Sequence, residues 1–340
     1  MKALVKYAEG PEGMGIRDIP VPEPKKGEVR LAIKAAGICG TDLHSMKDER
    51  KTIMPVVLGH EFVGVIDKLG EGVTDYKSGD WVTGLPACYS CGTCEYCKRG
   101  EVTLCHNRKS VGTHKDGAMA EYMVMPAKYC YKVPDDAEDK LIYAAAEPMA
   151  CAVRAIYERI NVYPGELVVV SGPGTIGLFL IQALKSRGAY VIASGLPLDA
   201  HRLKKALEVG ADEAYDNYED LEKAVKKHNP EGADLVCEAT GVAGSLDTCF
   251  KIVRIHGTLL QVGVYGTDIT CNFNQIFNKE LTVTSTNSTA TSTWDIAMKL
   301  IEEKKIDLAS VVSLRIPLEN WKEGFEAAIN KSAFKVILIP

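Results

Sequence analysis

The segment from about residue 166 to 265 constrains the fold most, because short apolar strands alternate there with amphipathic helices. LVVVSG is a continuous apolar run, and IGLFLIQALKSRG carries apolar residues at helical spacing. AYVIASG and RLKKALEVGA repeat the pattern, and ADLVCEATG and GTLLQVGVYG read as two further buried strands. Alternation of this kind builds parallel βαβ units and a doubly wound sheet. The turn after the first strand is SGPGTIG, which places Gly172, Gly174 and Gly177 in a G-x-G-x-x-G pattern. Following a strand and opening a helix, it has the setting of a dinucleotide site. The first glycine makes the tight turn, and the second admits a pyrophosphate close to the backbone. The third lets helix and strand pack, while the helix N-terminus favours the anion. Gly172, Gly174, Thr175, Ile176 and Gly177 therefore form the expected phosphate-binding turn.

Dinucleotide folds usually end their second strand on a carboxylate that holds the ribose 2′-hydroxyl. Here the strand ends VIASG, so Ser194 and Gly195 stand at that place. Without the carboxylate nothing repels a 2′-phosphate, and His201 and Arg202 follow closely enough to meet one. The cofactor is expected to be NADP or NAD, the balance tilting slightly to NADP. Asp199 is near enough to stand in for the missing acid, which keeps NAD open.

At 340 residues the chain exceeds one ordinary core and implies two domains. Residues 1–150 have a different texture: KALVKYA, EVRLAIKAAG, EFVGVIDKLG and GDWVTG are short strands punctuated by Gly, Pro and Asp, as in an all-β, barrel-like unit. After about 286, the polar stretch STNSTATST precedes a helix, WDIAMKLIEEKK, and a last strand, FKVILIP. A net charge of −5 and a pI near 5.9 give no support for nucleic-acid binding. No apolar run approaches the ~20 residues of a membrane span. The start, MKALVKYAEG, reads directly into a strand, so the cytoplasm is expected, where thiols stay reduced.

Four cysteines fall within fifteen residues, Cys91, Cys94, Cys97 and Cys105, spaced C-x2-C-x2-C-x7-C. Four soft donors on one point suit a tetrahedral metal, and a site closed by four thiolates is a structural zinc site. A ferredoxin-type cluster would close after three residues with Cys-Pro, whereas Cys105 comes after seven and is followed by His106. Disulfides are disfavoured by the odd total of eleven cysteines. Cys88, just upstream, is read as a bystander. A more dispersed set, Cys39 in GICGTDLH, His60 and Glu61 in LGHEFVG, and Glu147 in AAEPMAC, offers a thiolate, an imidazole and carboxylates. Three such ligands with an open fourth position make a catalytic zinc site, which lowers the pKa of a bound hydroxyl. Glu147, standing before a proline, also suits a helix start.

GHEFVGVIDKLGEGV matches the spacing of the zinc-containing alcohol dehydrogenase signature at Gly59, His60, Glu61, Gly64, Gly70 and Val73. The Cys-Gly-Thr-Asp-x-His motif, the four-cysteine lobe and the glycine-rich turn follow in that family's order. Over essentially its whole length the chain resembles a zinc-dependent medium-chain dehydrogenase, in the sorbitol and threonine dehydrogenase branch. The resemblance implies a GroES-like β-barrel catalytic domain over 1–149, with a structural zinc lobe at about 88–106. It further implies a Rossmann domain over 150–286 and a return to the catalytic domain over 287–340. It implies two zinc ions per chain: a structural one on the four cysteines and a catalytic one on Cys39 and His60. Glu61 is then a neighbouring acid or exchanging ligand. Glu147, within a Glu-Pro motif, stands where simple alcohol dehydrogenases have a cysteine. Thr41 corresponds to the hydroxyl that meets the substrate oxygen, and His44 to the histidine that passes its proton to solvent.

The implied reaction moves a hydride from a secondary alcohol, of polyol or sugar-alcohol type, to a nicotinamide cofactor and leaves a ketone. An L-threonine 3-dehydrogenase-like enzyme, a simple alcohol dehydrogenase and a non-catalytic dinucleotide sensor stay open. Polyol dehydrogenases often carry an arginine just after the last Rossmann strand, where this chain has Asn287, Ser288 and Thr289, which counts against sorbitol itself. No basic cluster in the sequence argues for a phosphorylated substrate. The expected partners are a small-molecule substrate and further copies of the chain in a dimer or tetramer, with no nucleic acid and no membrane.

Overall fold

The computed structural model describes residues 1–87 and 89–340, so Cys88 lies outside the described residues. The chain forms two compact units, one of Met1–Glu147, Thr289–Glu302 and Leu308–Pro340, the other of Pro148–Ser288 and Glu303–Asp307.

The first unit begins with strands β1 (Lys2–Lys6), β2 (Met14–Asp18) and β3 (Glu28–Gly37), the short helix α1 (Gly40–Met46), and β4 (Val56–Val57), β5 (Glu61–Leu69) and β6 (Trp81–Gly84). Helix α2 (Glu95–Lys98) lies inside the cysteine lobe, and β7 (Tyr122–Pro126) and β8 (Cys130–Lys132) follow. β1 joins β2 and β4 in a three-stranded sheet, and β3 is the hub of a larger sheet, pairing antiparallel with both β5 and β7. β3 and β5 are long and mostly buried, and each pairs with strands on both sides. Their register sets Gly37 opposite Glu61.

Helix α3 (Ala146–Tyr157) leads into β9 (Leu167–Ser171), α4 (Thr175–Ser186), β10 (Tyr190–Ser194), α5 (Ala200–Glu208), β11 (Glu213–Tyr215) and α6 (Tyr218–His228). β12 (Ala233–Glu238), α7 (Ala243–Ile252), β13 (Val253–Gln261), α8 (Asn274–Asn278) and β14 (Thr282–Ser285) complete the second unit's sheet. All its pairings are parallel, in the order β11-β10-β9-β12-β13-β14. Every residue of the central β9 is buried, which explains its unbroken apolar sequence. The strand order reverses between β9 and β12, and the carboxyl edge at such a switch point is where ligands bind.

Helix α9 (Thr291–Glu302), β15 (Val312–Pro317), α10 (Trp321–Ile329) and β16 (Lys335–Ile339) close the chain. β16 pairs antiparallel with β3 and parallel with β15, so the last strand belongs to the first unit. The stretch STNSTATST is less irregular than its composition suggests: Ser285 ends β14 and Thr291 opens α9. Among the described residues no helix is long and apolar enough to cross a membrane.

Candidate active site

Cys91, Cys94, Cys97 and Cys105 converge, as their spacing predicts. The Sγ separations are 3.9 Å for Cys91–Cys97, 3.5 Å for Cys94–Cys97 and 3.6 Å for Cys105–Cys91. Tetrahedral thiolates at about 2.3 Å from one zinc stand roughly 3.8 Å apart, so the four sulfurs fit that ion. Donors from Thr93 and from the Cys94 N–H, at 3.4 Å, stabilise the Cys91 thiolate and lower its pKa to about 5. Replacing Cys94 by Ser is expected to remove about one zinc per chain and to shorten the half-life of the fold on heating, because metal affinity here is folding free energy. Metal analysis and thermal inactivation check it; unchanged zinc and half-life would refute the structural role.

The second metal set is assembled from strand and helix ends. Cys39 precedes α1, and His60 immediately precedes β5. Cys39, His60 and Glu61 bring ligand atoms within 4.8 Å of one another. Asp42 stitches the two segments together, its carboxylate accepting from the Cys39 N–H at 2.9 Å and the Gly59 N–H at 3.3 Å. Its Oδ1 lies 3.9 Å from His60 Nδ1, too far for a hydrogen bond but close enough to act on the ring electrostatically. Burial raises the Asp42 pKa, against the pull of His60. Burial alone would lower the His60 pKa, yet Cys39, Asp42 and Glu147 hold it well above the usual histidine value. The negative groups that favour imidazolium there favour a dication equally, so the donor set fits zinc.

Glu61 is wholly buried, and both its oxygens accept from Lys335 Nζ, at 2.8 and 2.7 Å. Lys335 also donates to the Ile38 carbonyl at 2.9 Å. Burial opposes the Lys335 charge, but Glu61 and Cys39 keep its pKa raised. A Cβ on Gly37 would stand 2.0 Å from Glu61 Oε2, so glycine is required across the pair. Glu147 is buried in the first turn of α3 and acts electrostatically on His60 and Lys335, while the three-residue ligand cluster is Cys39, His60 and Glu61. Thr41 and His44 lie on α1 three residues apart, hence on one face. His44 Nδ1 contacts Glu49 Oε2 at 2.6 Å.

In the second unit, Gly172 has φ 102°, and a Cβ on Gly177 would lie 1.9 Å from the Gly172 oxygen. Both glycines are dictated by geometry. Gly174 caps α4, and a Cβ there would meet only Arg202 Nη1, at 3.7 Å, so Thr175 and Ile176 open a helix whose N-terminus an anion can approach closely. Ser194 is buried at the end of β10. A side chain at Gly195 would crowd Pro173 at 3.2 Å. Asp199, the residue able to replace the missing ribose carboxylate, is buried and accepts from the Leu196 N–H at 3.2 Å. Sequence reasoning missed Glu238, a wholly buried carboxylate at the carboxyl end of β12. It accepts from the Thr240 N–H at 2.8 Å, the Gly241 N–H at 3.2 Å, the Tyr265 hydroxyl at 3.2 Å and the Thr240 hydroxyl, fixing two loops on the ligand-binding edge. Asn287 and Thr289, where a polyol-binding arginine was sought, serve the fold: their carbonyls accept from Arg154 at 3.0 Å and Thr103 at 2.6 Å.

Residues 25–135 match the family model described as alcohol dehydrogenase GroES-like domain, and residues 175–303 the one described as zinc-binding dehydrogenase. A sorbitol dehydrogenase of Halalkalibacterium halodurans is 37% identical over 343 residues, covering 100% of this chain and 99% of the relative. A D-arabitol-phosphate dehydrogenase of Enterococcus avium is 34% identical over 345 residues, covering 99% and 97%. Among solved structures, a Sinorhizobium meliloti 1021 protein assigned as a zinc-binding dehydrogenase and bound to NADP superposes with a TM-score of 0.90 at 30% identity, covering 100% and 99%.

Proposed function

This chain belongs to the zinc-binding dehydrogenase family with a GroES-like alcohol dehydrogenase domain, and we propose that it oxidises a secondary alcohol of polyol type to a ketone with a nicotinamide cofactor. The observation that carries the reading is the convergence of Cys39, His60 and Glu61 beside the helix that bears Thr41 and His44. When bound, zinc supplies Lewis acidity toward the alcohol oxygen, and the nicotinamide supplies the hydride acceptor. Cys39 and His60 would hold the metal, with a carboxylate from Glu147 or from Glu61, which Lys335 ties back, completing the set. Thr41 accepts the alcohol proton. His44, one turn on along α1, passes it outward, and its Nδ1 contact with Glu49 fixes the ring. Cys91, Cys94, Cys97 and Cys105 hold a second zinc that takes no part in the chemistry. The expected setting is a cytoplasmic homo-oligomer, a dimer or tetramer.

NADP is the preferred cofactor in this reading. Support comes from Gly195 in place of the ribose acid, from Asp199 being engaged with Leu196, and from Arg202 beside Gly174. Replacing Arg202 by Ala is expected to lower kcat/KM for NADP roughly 10- to 100-fold more than for NAD, the effect of one charge-assisted contact. A panel of polyols, amino alcohols and sugars, assayed with both cofactors on wild type and variant, tests both statements. No cofactor reduction with any alcohol, and one zinc per chain instead of two, would favour the dinucleotide-sensing alternative.

A further inference from the structure

The folded chain assembles a basic cluster that is not apparent in the sequence. The segment after α1 and the loop after the cysteine lobe are joined by the Ile53 N–H, which donates to the Thr113 carbonyl at 3.1 Å. The second loop is fastened beside the metal set. The Gly117 N–H bonds Val57 O and the Ala118 N–H bonds Gly59 O, both at 2.9 Å. A Cβ on Gly112 or Gly117 would strike the Gly59 oxygen at 2.6 or 2.1 Å, and Gly59 adjoins His60. On this rim stand Arg50, which follows the His44 partner Glu49, and Arg108, Lys109 and His114.

Arg50, Arg108 and Lys109 have no ion-pair partner among the described residues, and His114, whose Nδ1 accepts from the Ser110 N–H at 3.4 Å, stands among them as a neutral ring. Arg108 is half-buried and donates one N–H to the Thr103 carbonyl at 2.6 Å, leaving most of its fork unused. The acids of the rim are committed elsewhere. Asp48 binds Lys6 at 2.9 Å, Glu49 binds His44 at 2.6 Å, and Asp116 accepts from the Val57 N–H at 2.9 Å. The positive groups act on one another and on the ring: burial and Arg50 lower the Arg108 pKa against the pull of Cys105, and burial, Arg108, Arg50 and Lys109 lower that of His114 and keep it neutral. Uncompensated cations gathered beside a site are stabilised by an anion and concentrate it there.

We propose that this rim is the receptor for an oxyanion, a phosphate ester or a carboxylate, carried by the substrate away from its reacting carbinol. The inference rests on the dehydrogenase reading and refines its substrate class. Arginine forks bind both oxyanions through paired charge-assisted hydrogen bonds.

The test compares a sugar alcohol, its terminal phosphate monoester and a hydroxy amino acid as substrates. In parallel, calorimetry follows binding of inorganic phosphate to holoenzyme saturated with cofactor. One anion-bearing substrate is expected to exceed the free polyol in kcat/KM by roughly 100-fold, the worth of two charge-assisted contacts. Which of the two does so identifies phosphate or carboxylate. Arg108→Gln is expected to reduce that preference about 10-fold or more and to weaken inorganic phosphate binding. Arg50→Gln, on an exposed segment, repeats the test without touching the Thr103 contact. A free polyol used as well as either anionic substrate, or a preference unmoved by both variants, would overturn the proposal. If no alcohol reduces the cofactor but inorganic phosphate still binds through Arg50 and Arg108, the dehydrogenase reading fails and the anion site stands.

Discussion

Cys39→Ser and His60→Ala are each expected to lower kcat/KM by about 1,000-fold or more while leaving the fold intact. Each removes one donor from a three-ligand set, and the Lewis acid contributes several kcal/mol to the reaction, where about 4 kcal/mol corresponds to 1,000-fold. The fold is expected to persist because Cys39 lies ahead of a short helix and His60 ahead of a strand whose packing rests on Phe62, Val63 and Ile66. Metal analysis should show one zinc lost and one retained, since the four-cysteine set is separate. Asp42→Asn gives the graded control. It keeps the shape but weakens the contacts to the Cys39 N–H and His60, and about 10- to 100-fold is the usual loss for such a supporting carboxylate. Full activity in purified Cys39→Ser or His60→Ala protein would reject the assignment.

The parts of the architecture that were legible in the sequence are those whose cause is local. Gly172 and Gly177 declare a turn because each lacks a Cβ for a reason within a few residues or one strand away, while Gly174 between them leaves the start of α4 open. The four-cysteine lobe closes within fifteen residues, so its spacing alone specifies the metal geometry. Cys39 and His60 are dispersed: their ligand types suggested a second metal set, and the resemblance of their surroundings to a known signature gave that set its weight. What stayed hidden depends on register. Asp42 was quoted as a motif letter, but its role follows from the chain returning at Gly59 to within bonding distance. Glu238 ends an ordinary buried strand, and nothing in ADLVCEATG says that its carboxylate will collect the donors of Thr240, Gly241 and Tyr265. Arg50 and Arg108 read as separate solvated charges until the Ile53–Thr113 contact joins their segments. Lys335 is the extreme case. It lies 274 positions from Glu61, in a C-terminal strand whose sequence gives no hint that its first residue is buried.

Lys335→Met is expected to destabilise the first unit by about 3–5 kcal/mol, the usual consequence of leaving one member of a buried pair unpartnered. For a unit of this size that corresponds to an apparent Tm lower by roughly 6–20 °C. The size of the effect follows from how completely Glu61 depends on one partner: both oxygens take their hydrogen bonds from Lys335, and water has no access. The second variant decides between charge and packing. In Lys335→Met with Glu61→Gln the buried charge is gone, and most of the stability should return. The remaining deficit should be about 1–3 kcal/mol, because the Ile38 carbonyl loses its Lys335 donor and stays buried. If Lys335 acted only by filling space, the single and double variants would unfold at the same temperature. The comparison also bears on the metal. Glu61 belongs to the candidate metal-ligand cluster, and Lys335 is the group that holds both its oxygens. In Lys335→Met the carboxylate is free to turn toward the cation, so the single variant should bind cobalt with an altered visible spectrum. The double variant, lacking that carboxylate, should restore the wild-type bands. Identical spectra in wild type and Lys335→Met would show that Lys335 contributes stability alone and has no hand in setting the ligand sphere.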